Sequence, residues 1–419
     1  MKILHLSDGV NIPTGYANQS RLLLQTLHDS GHEILHLAHS YSGMGIKNTE
    51  LADGTKIPYK IIGTDGSPYC RNLVPELITK EKIDLFGVLL DTFMLKQAGY
   101  DSIPLACKTF FWFPSDGGFF PDGCETILRK FNFPVAMSKF GRDQVKKLFN
   151  IDARYIPHGV KSQKFRPFSD TDRFNARSEF GSSRLYRYNR GQYIQVSIDL
   201  AGKTVFGCVA RNQGRKALPD LLKAFSHWSK NRNDAILVMH SDPQDQAQIC
   251  DSQSVADRYG GGHNVFWTGM SMFRPYSEQD LVKLYNVMDC FALLTTGEGF
   301  GIPYIEAMSC GVPVIATDGT TTKEIVTDNG AGLAVRLMGE KERPYPDSDF
   351  GTGRVVGGWG VERYFADHRH AGECFDKMMN ASFRKECGVN ARKAVLESYD
   401  WDSVVGPKFI KLIEEVERS

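Results

Sequence analysis

The chain has 419 residues, 42% of them hydrophobic and 24% charged, with a net charge of +1 at pH 7. That length exceeds one comfortable core and fits two domains of about 200 residues each, while the composition excludes extended disorder. Nine cysteines without a Cys-x-x-Cys pair argue against a disulfide framework or a zinc site and suit a reducing compartment. No apolar run approaches the roughly 18 residues of a membrane span. The opening MKILHLSDG lacks the apolar core of a signal peptide, so the expected location is cytoplasmic.

Lys2–Ser7 reads as a strand, Asp8–Tyr16 as a loop, and Ala17–Asp29 as a helix with Leu23, Leu24 and Leu27 on one face, stopped by Gly31. Gly15 in that loop either lets backbone approach a phosphate or sugar, or serves the turn alone. Further strands are expected at Asp84–Leu90, Lys108–Phe113, Pro134–Ser138 and Arg154–Ile156, with a helix at Lys139–Asn150. Alternating β and α elements imply a parallel, doubly wound sheet.

After the strand Lys108–Phe113, Pro114-Ser115-Asp116-Gly117-Gly118 offers one carboxylate followed by two glycines. Asp116 is placed to bond ligand hydroxyls or to take a proton, or else to cap the loop as an Asx turn. Between Lys139 and Arg190 there are 13 Lys/Arg against 5 Asp/Glu, so one surface is expected to be basic. Residues 166–200 have little apolar periodicity and read as a linker followed by a partly ordered excursion.

A second strand, Gly-loop and helix layout begins at Lys203–Ala210 and continues with a helix over Leu218–Ser229. Arg211 and Lys216 project from the intervening loop, where two cations would neutralise a diphosphate. Strands follow at Ala235–His240, Asn264–Trp267, Asp289–Leu294 and Val312–Ala316, and Ser277 with Asp280 forms a capping-box pattern. Thr268 and Gly269 lie at a strand end.

Residues 291–326 carry the densest signal. An apolar strand ends in Thr-Thr-Gly and Ile302 opens a helix, which puts Gly297-Glu298-Gly299-Phe300-Gly301 at a strand-to-helix turn, where an α/β sheet binds ligands. The amides of Phe300, Gly301 and Ile302 can point at an anion there. Glu298 and Glu306 flank the same place, and a carboxylate accepts from paired hydroxyls. A ligand with a charged middle and a polyhydroxylated group at each end fits this pattern, and a nucleotide sugar has that shape.

The Glu-x7-Glu spacing of Glu298 and Glu306, the glycines around it and the strand Cys310-Gly311-Val312-Pro313-Val314-Ile315 together resemble the signature of retaining GT-B glycosyltransferases of the family 4 type, glycosyl transferases group 1. The resemblance implies two Rossmann-like doubly wound domains facing a central cleft. On that basis residues 1–165 are the acceptor-side domain, 166–200 the linker, 201–395 the nucleotide-sugar domain and 396–419 a helix crossing back to the first domain. It also implies transfer of a hexose from a UDP- or GDP-sugar to an acceptor hydroxyl with retention, without a cofactor or metal. Arg211 and Lys216 would hold the diphosphate, Glu298 the sugar, Glu306 the ribose and the backbone around Thr268 and Gly269 the base, with Gly15 near a phosphate or sugar.

The chain departs from the family where His158 replaces the usual Asn, Lys161 an Asp, Ala217 a Gly after the lysine, and Asp116 stands near a common His. Two further readings use the same donor site: a nucleotide-sugar hydrolase or 2-epimerase, and an idle nucleotide-sugar-binding protein. The acceptor is expected on the first domain, and Lys139, Arg142, Lys146 and Lys147, with Phe119 and Phe120 nearby, suit an anionic one: lipid at a peripheral membrane contact, polynucleotide or glycan.

Overall fold

The computed structural model describes every residue except 11, 43–45, 48–49, 51–53, 190, 246–250, 271–275, 339–353 and 357–360. The chain divides into two units, one of Met1–Gly159 with Tyr399–Ser419, the other of Val160–Gly358 with Glu362–Ser398. Each is a Rossmann-like α/β unit built on an eight-stranded sheet.

In the first unit, strands β1 (Lys2–Ser7), β2 (Glu33–Ser42), β3 (Ile46–Lys47), β4 (Lys60–Thr64), β5 (Leu85–Leu89), β6 (Lys108–Phe113), β7 (Phe133–Ala136) and β8 (Arg154–Tyr155) lie in the order β3-β4-β2-β1-β5-β6-β7-β8. All pairs are parallel except β3 with β4. β5 is buried throughout and β6 nearly so, as expected of strands covered by helices on both faces. Those helices are α1 (Gly15–Asp29), α2 (Leu73–Lys80), α3 (Thr92–Gln97), α4 (Cys124–Lys130) and α5 (Lys139–Phe149). Leu23, Leu24 and Leu27 of α1 are fully buried, and Thr14 caps it by accepting from the Ala17 amide.

The second unit repeats the plan with β9 (Leu185–Asn189), β10 (Gln192–Val196), β11 (Thr204–Val209), β12 (Ala235–His240), β13 (Val265–Trp267), β14 (Cys290–Leu293), β15 (Val314–Thr317) and β16 (Gly332–Val335), ordered β10-β9-β13-β12-β11-β14-β15-β16. From β13 to β16 every pair is parallel, whereas β9 and β10 form an antiparallel hairpin on the β13 edge. The helices are α6 (Asp170–Glu179), α7 (Leu218–Ser229), α8 (Ser252–Arg258), α9 (Glu278–Val287), α10 (Ile302–Ser309), α11 (His368–Met379) and α12 (Ala381–Ser398). Ser277 caps α9 as its sequence pattern indicates.

Residues 166–200, expected as a linker and excursion, instead form α6 and the hairpin. Arginine orders them. Arg177 donates to the carbonyls of Leu200, Lys203 and Val287 and to Asp289, and Arg173 to those of Asn286 and Met288 and to the same carboxylate. Arg187 bonds the carbonyls of Gly262, His263 and Val265. Much of the basic surplus of this stretch therefore faces inward, and the expected basic surface is correspondingly reduced.

The last helix, α13 (Gly406–Arg418), belongs to the first unit. Phe409 packs edge-on against Trp112 at 4.7 Å, Trp401 donates to the Thr26 hydroxyl, and Lys108 bonds the Val416 carbonyl. Residues 336–360, whose glycines and prolines read as an insertion, lie largely outside the described residues. Among the described residues no helix is long and apolar enough to cross a membrane.

Asp289 is largely buried between Arg173 and Arg177. Removing one cation leaves a buried carboxylate and several carbonyls with fewer donors, so Arg177→Ala is expected to destabilise the second unit by about 3 kcal/mol. Urea unfolding followed by the fluorescence of Trp228 and Trp267 would measure this.

Candidate functional site

The site begins with two neighbouring strands. β11 and β14 pair in the sheet, so the loops that leave their C-terminal ends run side by side. After β11 the chain makes a tight turn over Gly214–Lys216, and Ala217 enters α7 at φ 46°. That left-handed backbone is strained for alanine and natural for glycine, the physical reason a glycine suits this position.

The two loops are stapled together. The hydroxyls of Thr295 and Thr296 each donate to the Arg215 carbonyl at 3.0 Å, the Thr296 amide adds a third bond at 2.9 Å, and the Arg215 guanidinium returns one to the Gly297 carbonyl at 2.7 Å. This brings two cations onto Glu298, Lys216 at 2.7 Å and Arg215 at 3.2 Å. Burial alone would raise the Glu298 carboxyl, but Lys216 and Arg215 bring it down to about 2. Burial also holds the Lys216 ammonium below its ordinary value, opposed by Glu298.

Arg211 lies at the end of β11 but takes a different partner. Its guanidinium grips Asp245 with two nitrogens, Nε and Nη2, at 2.7 and 3.1 Å, and the hydrogen bond to that carboxylate raises its pKa. Asp245 is buried whereas Arg211 is half exposed, so the aspartate anchors a cation that faces outward.

Gly301 precedes α10 at φ 102°, and a Cβ there would sit 2.4 Å from the Tyr304 ring. Pro303 in the first helical turn needs no amide partner. The loop is held from the far side, where the Glu298 amide donates to Thr320 and the Thr321 hydroxyl to the Phe300 carbonyl. In the second turn Glu306 is buried and accepts from the Tyr285 hydroxyl at 2.7 Å. Burial pushes its carboxyl up to about 7 against that bond.

Thr268 and Gly269 close the far side, just after β13. The Thr268 side chain meets His240 Nδ1 at 2.8 Å, and its carbonyl accepts from Tyr276 at 3.1 Å. Gly15 and Asp116 lie in the first unit, Gly15 as the exposed first residue of α1 and Asp116 half-buried in the loop after β6. On α5, Arg142 pairs with Asp143 and Lys146 with Asp152, so that face carries less net charge than its lysines suggest. Phe120 packs on Phe149 and Phe113, leaving Phe119 the exposed ring.

Sequence reading overlooked Arg215, Asp245 and Tyr285. Arg215 adjoins Lys216 in the same loop, which was a usable signal. Asp245 sits in the loop after β12, the strand beside β11, and only the strand order reveals that neighbourhood.

Residues 192–336 match the family described as Glycosyl transferases group 1. O-antigen chain mannosyltransferase B of Escherichia coli is 45% identical over 53 residues, 13% of this chain and 14% of its own. A GDP-mannose-dependent alpha-(1-6)-phosphatidylinositol monomannoside mannosyltransferase of Mycolicibacterium smegmatis is 26% identical over 209 residues, 48% of this chain and 47% of its own. The chain spans less than half the length of these curated relatives. Among solved structures, sucrose-phosphate synthase of Thermosynechococcus elongatus superposes with a TM-score of 0.73 at 15% identity over 100% of this chain and 99% of its own. The Anabaena protein Alr3699/HepE in complex with UDP and glucose does so at 0.68 and 14%, over 99% of both.

The fold is therefore that of the GT-B glycosyltransferases, two Rossmann-like units with largely parallel sheets. The match to Glycosyl transferases group 1 covers residues 192–336, within the second unit.

Glu306 makes stability depend on pH. Its folded-state pKa, about 7, lies above the ordinary 4.5, so its contribution is fully present below 4.5 and is lost as pH rises through 7. The melting temperature of Glu306→Gln, which carries no such proton, is expected to gain on that of the unaltered protein between pH 5 and pH 8. A constant difference across that range would contradict the assignment.

Proposed function

We propose that this chain is a glycosyltransferase moving a sugar from a nucleoside-diphosphate donor to an acceptor hydroxyl. The observation that carries the reading is the convergence of Lys216 and Arg215 on Glu298 at the N-terminal end of α10, within the group 1 domain. Arg211, anchored by Asp245, adds a third cation on the same edge of the sheet. Support for UDP or GDP as the nucleotide comes from two similar proteins, one a GDP-mannose-dependent mannosyltransferase and one solved in complex with UDP and glucose.

A diphosphate brings the negative charge that Glu298 now supplies. As it takes up Lys216 and Arg215, the Glu298 carboxylate is released toward the sugar hydroxyls, and the amides at Phe300, Gly301 and Ile302 face the phosphates. Glu306 accepts from the ribose hydroxyls in its ionised form. The sugar–phosphate bond then breaks through an oxocarbenium-like state. Cations that gain contact as the diphosphate departs lower the barrier. The acceptor hydroxyl attacks the same face of a hexose, with retention of configuration, and gives its proton to the departing diphosphate, while Arg211, Lys216 and the helix N-terminus fill the charge-balancing role of a divalent ion.

Titration calorimetry with UDP and GDP tests the donor site. Lys216→Ala and Arg211→Ala are each expected to weaken binding by about 1.5–3 kcal/mol, the range for charge-assisted hydrogen bonds; unchanged affinity in both would remove the assignment. Product analysis in the same preparation separates transfer from plain donor hydrolysis or 2-epimerisation. Transfer rates in EDTA should equal those without it, and a large loss restored by Mg²⁺ or Mn²⁺ would overturn the metal-free reading.

A further inference from the structure

The hairpin β9–β10 has no part in the phosphate cluster, yet its aromatic side chains grip the loop after β13. Tyr186 pairs with Trp267 in the sheet and lays its ring against Gly269. Gly269 adopts φ 67°, and a Cβ there would lie 2.8 Å from Tyr186 Cε2, so the ring occupies the space a side chain would need. Tyr193 meets Tyr186 edge-on at 5.7 Å and donates its hydroxyl to the Met270 carbonyl at 3.2 Å. Behind them Tyr188 packs on both Tyr193 and Trp267, and both Tyr188 and Trp267 are buried. Tyr186 itself is only half-buried.

Position gives this wall a meaning. β11, β12 and β13 are adjacent and parallel, so the loops after β11 and β13 emerge at the same edge of the sheet, about two strand spacings or roughly 10 Å apart. A ligand whose diphosphate lies at Arg211 and Lys216 reaches the Thr268–Met270 loop with the far end of its nucleoside. That loop is held rigid by His240 and Tyr276 on one side and by the hairpin on the other.

We propose that the hairpin forms one wall of the nucleobase site, with the Tyr186 ring as the surface on which the base stacks and Tyr193 setting the backbone edge it meets. The inference rests on the donor reading above and adds the residues that recognise the base. Every base has a π-face, so Tyr186 supplies affinity without selecting among bases. Selection falls to the polar edge, where the Tyr193 oxygen, having donated its proton to Met270, still accepts from a ring N–H.

The test is titration of UDP, GDP, ADP and inorganic pyrophosphate into the unaltered protein, Tyr186→Ala and Tyr186→Phe. Tyr186→Ala is expected to weaken the best-bound nucleoside diphosphate about tenfold or more, and Tyr186→Phe to stay within about twofold. Pyrophosphate, which has no base, should bind all three alike. Two results would overturn the proposal: nucleotide affinity unchanged in Tyr186→Ala, or an equal loss for pyrophosphate, which would make the hairpin a support for the fold alone. If the unaltered protein bound none of the three nucleotides, the donor reading would fail first and the wall with it.

Discussion

Three charges share one small, largely dry space at Glu298. Taking a carboxylate and an ammonium out of water costs several kcal/mol per ion unless each has partners at good geometry, and here Glu298 finds them in Lys216 and Arg215 while Lys216 finds its counter-charge in Glu298. The requirement fixes the surrounding backbone. Two loops from different strands must stay within a hydrogen bond of one another, and the hydroxyls of Thr295 and Thr296 hold them there through one carbonyl. In the proposed donor reading, a diphosphate arriving at this place exchanges counter-ions with a charge that is already balanced. The cations are thus prepositioned without standing exposed.

Guanidinium groups hold much of the rest of the second unit. Arg173, Arg177 and Arg187 each donate to backbone carbonyls of neighbouring elements. Arg392 does the same for Phe165, Ser162 and Ser309, the last being the final residue of α10. A planar cation with five donors can close several such gaps at once, which lysine cannot. The polar stretch from 166 to 200 is ordered by this means rather than by apolar burial alone.

That device explains what was legible in the chain and what was not. Strands such as Lys108–Phe113 and Ala235–His240 are continuous apolar runs, and their observed limits match the reading residue for residue. The loop residues Arg211, Lys216 and Glu298, and Glu306 on the helix that follows, were visible because they come after such runs at set distances. The hairpin was not, because Leu185-Tyr186-Arg187-Tyr188-Asn189 alternates tyrosine with arginine instead of apolar with polar. Asp245 was hidden for another reason: its partner is 34 residues away, and only the order β12-β11 in the sheet makes them neighbours. The ionisation of Glu306 was equally out of reach, since it depends on burial and on Tyr285 from another helix.

The first unit includes both Met1–Gly159 and Tyr399–Ser419, and its late portion is tied in by Trp401 to Thr26, Val416 to Lys108 and Glu415 to Arg154. A chain leaving the ribosome from its N-terminus can finish the second unit while the first still lacks a helix over Trp112 and Phe110. Domains usually fold in order of synthesis. Here the unit begun first is completed last, once Phe409 has been made and can cover Trp112 and Phe110.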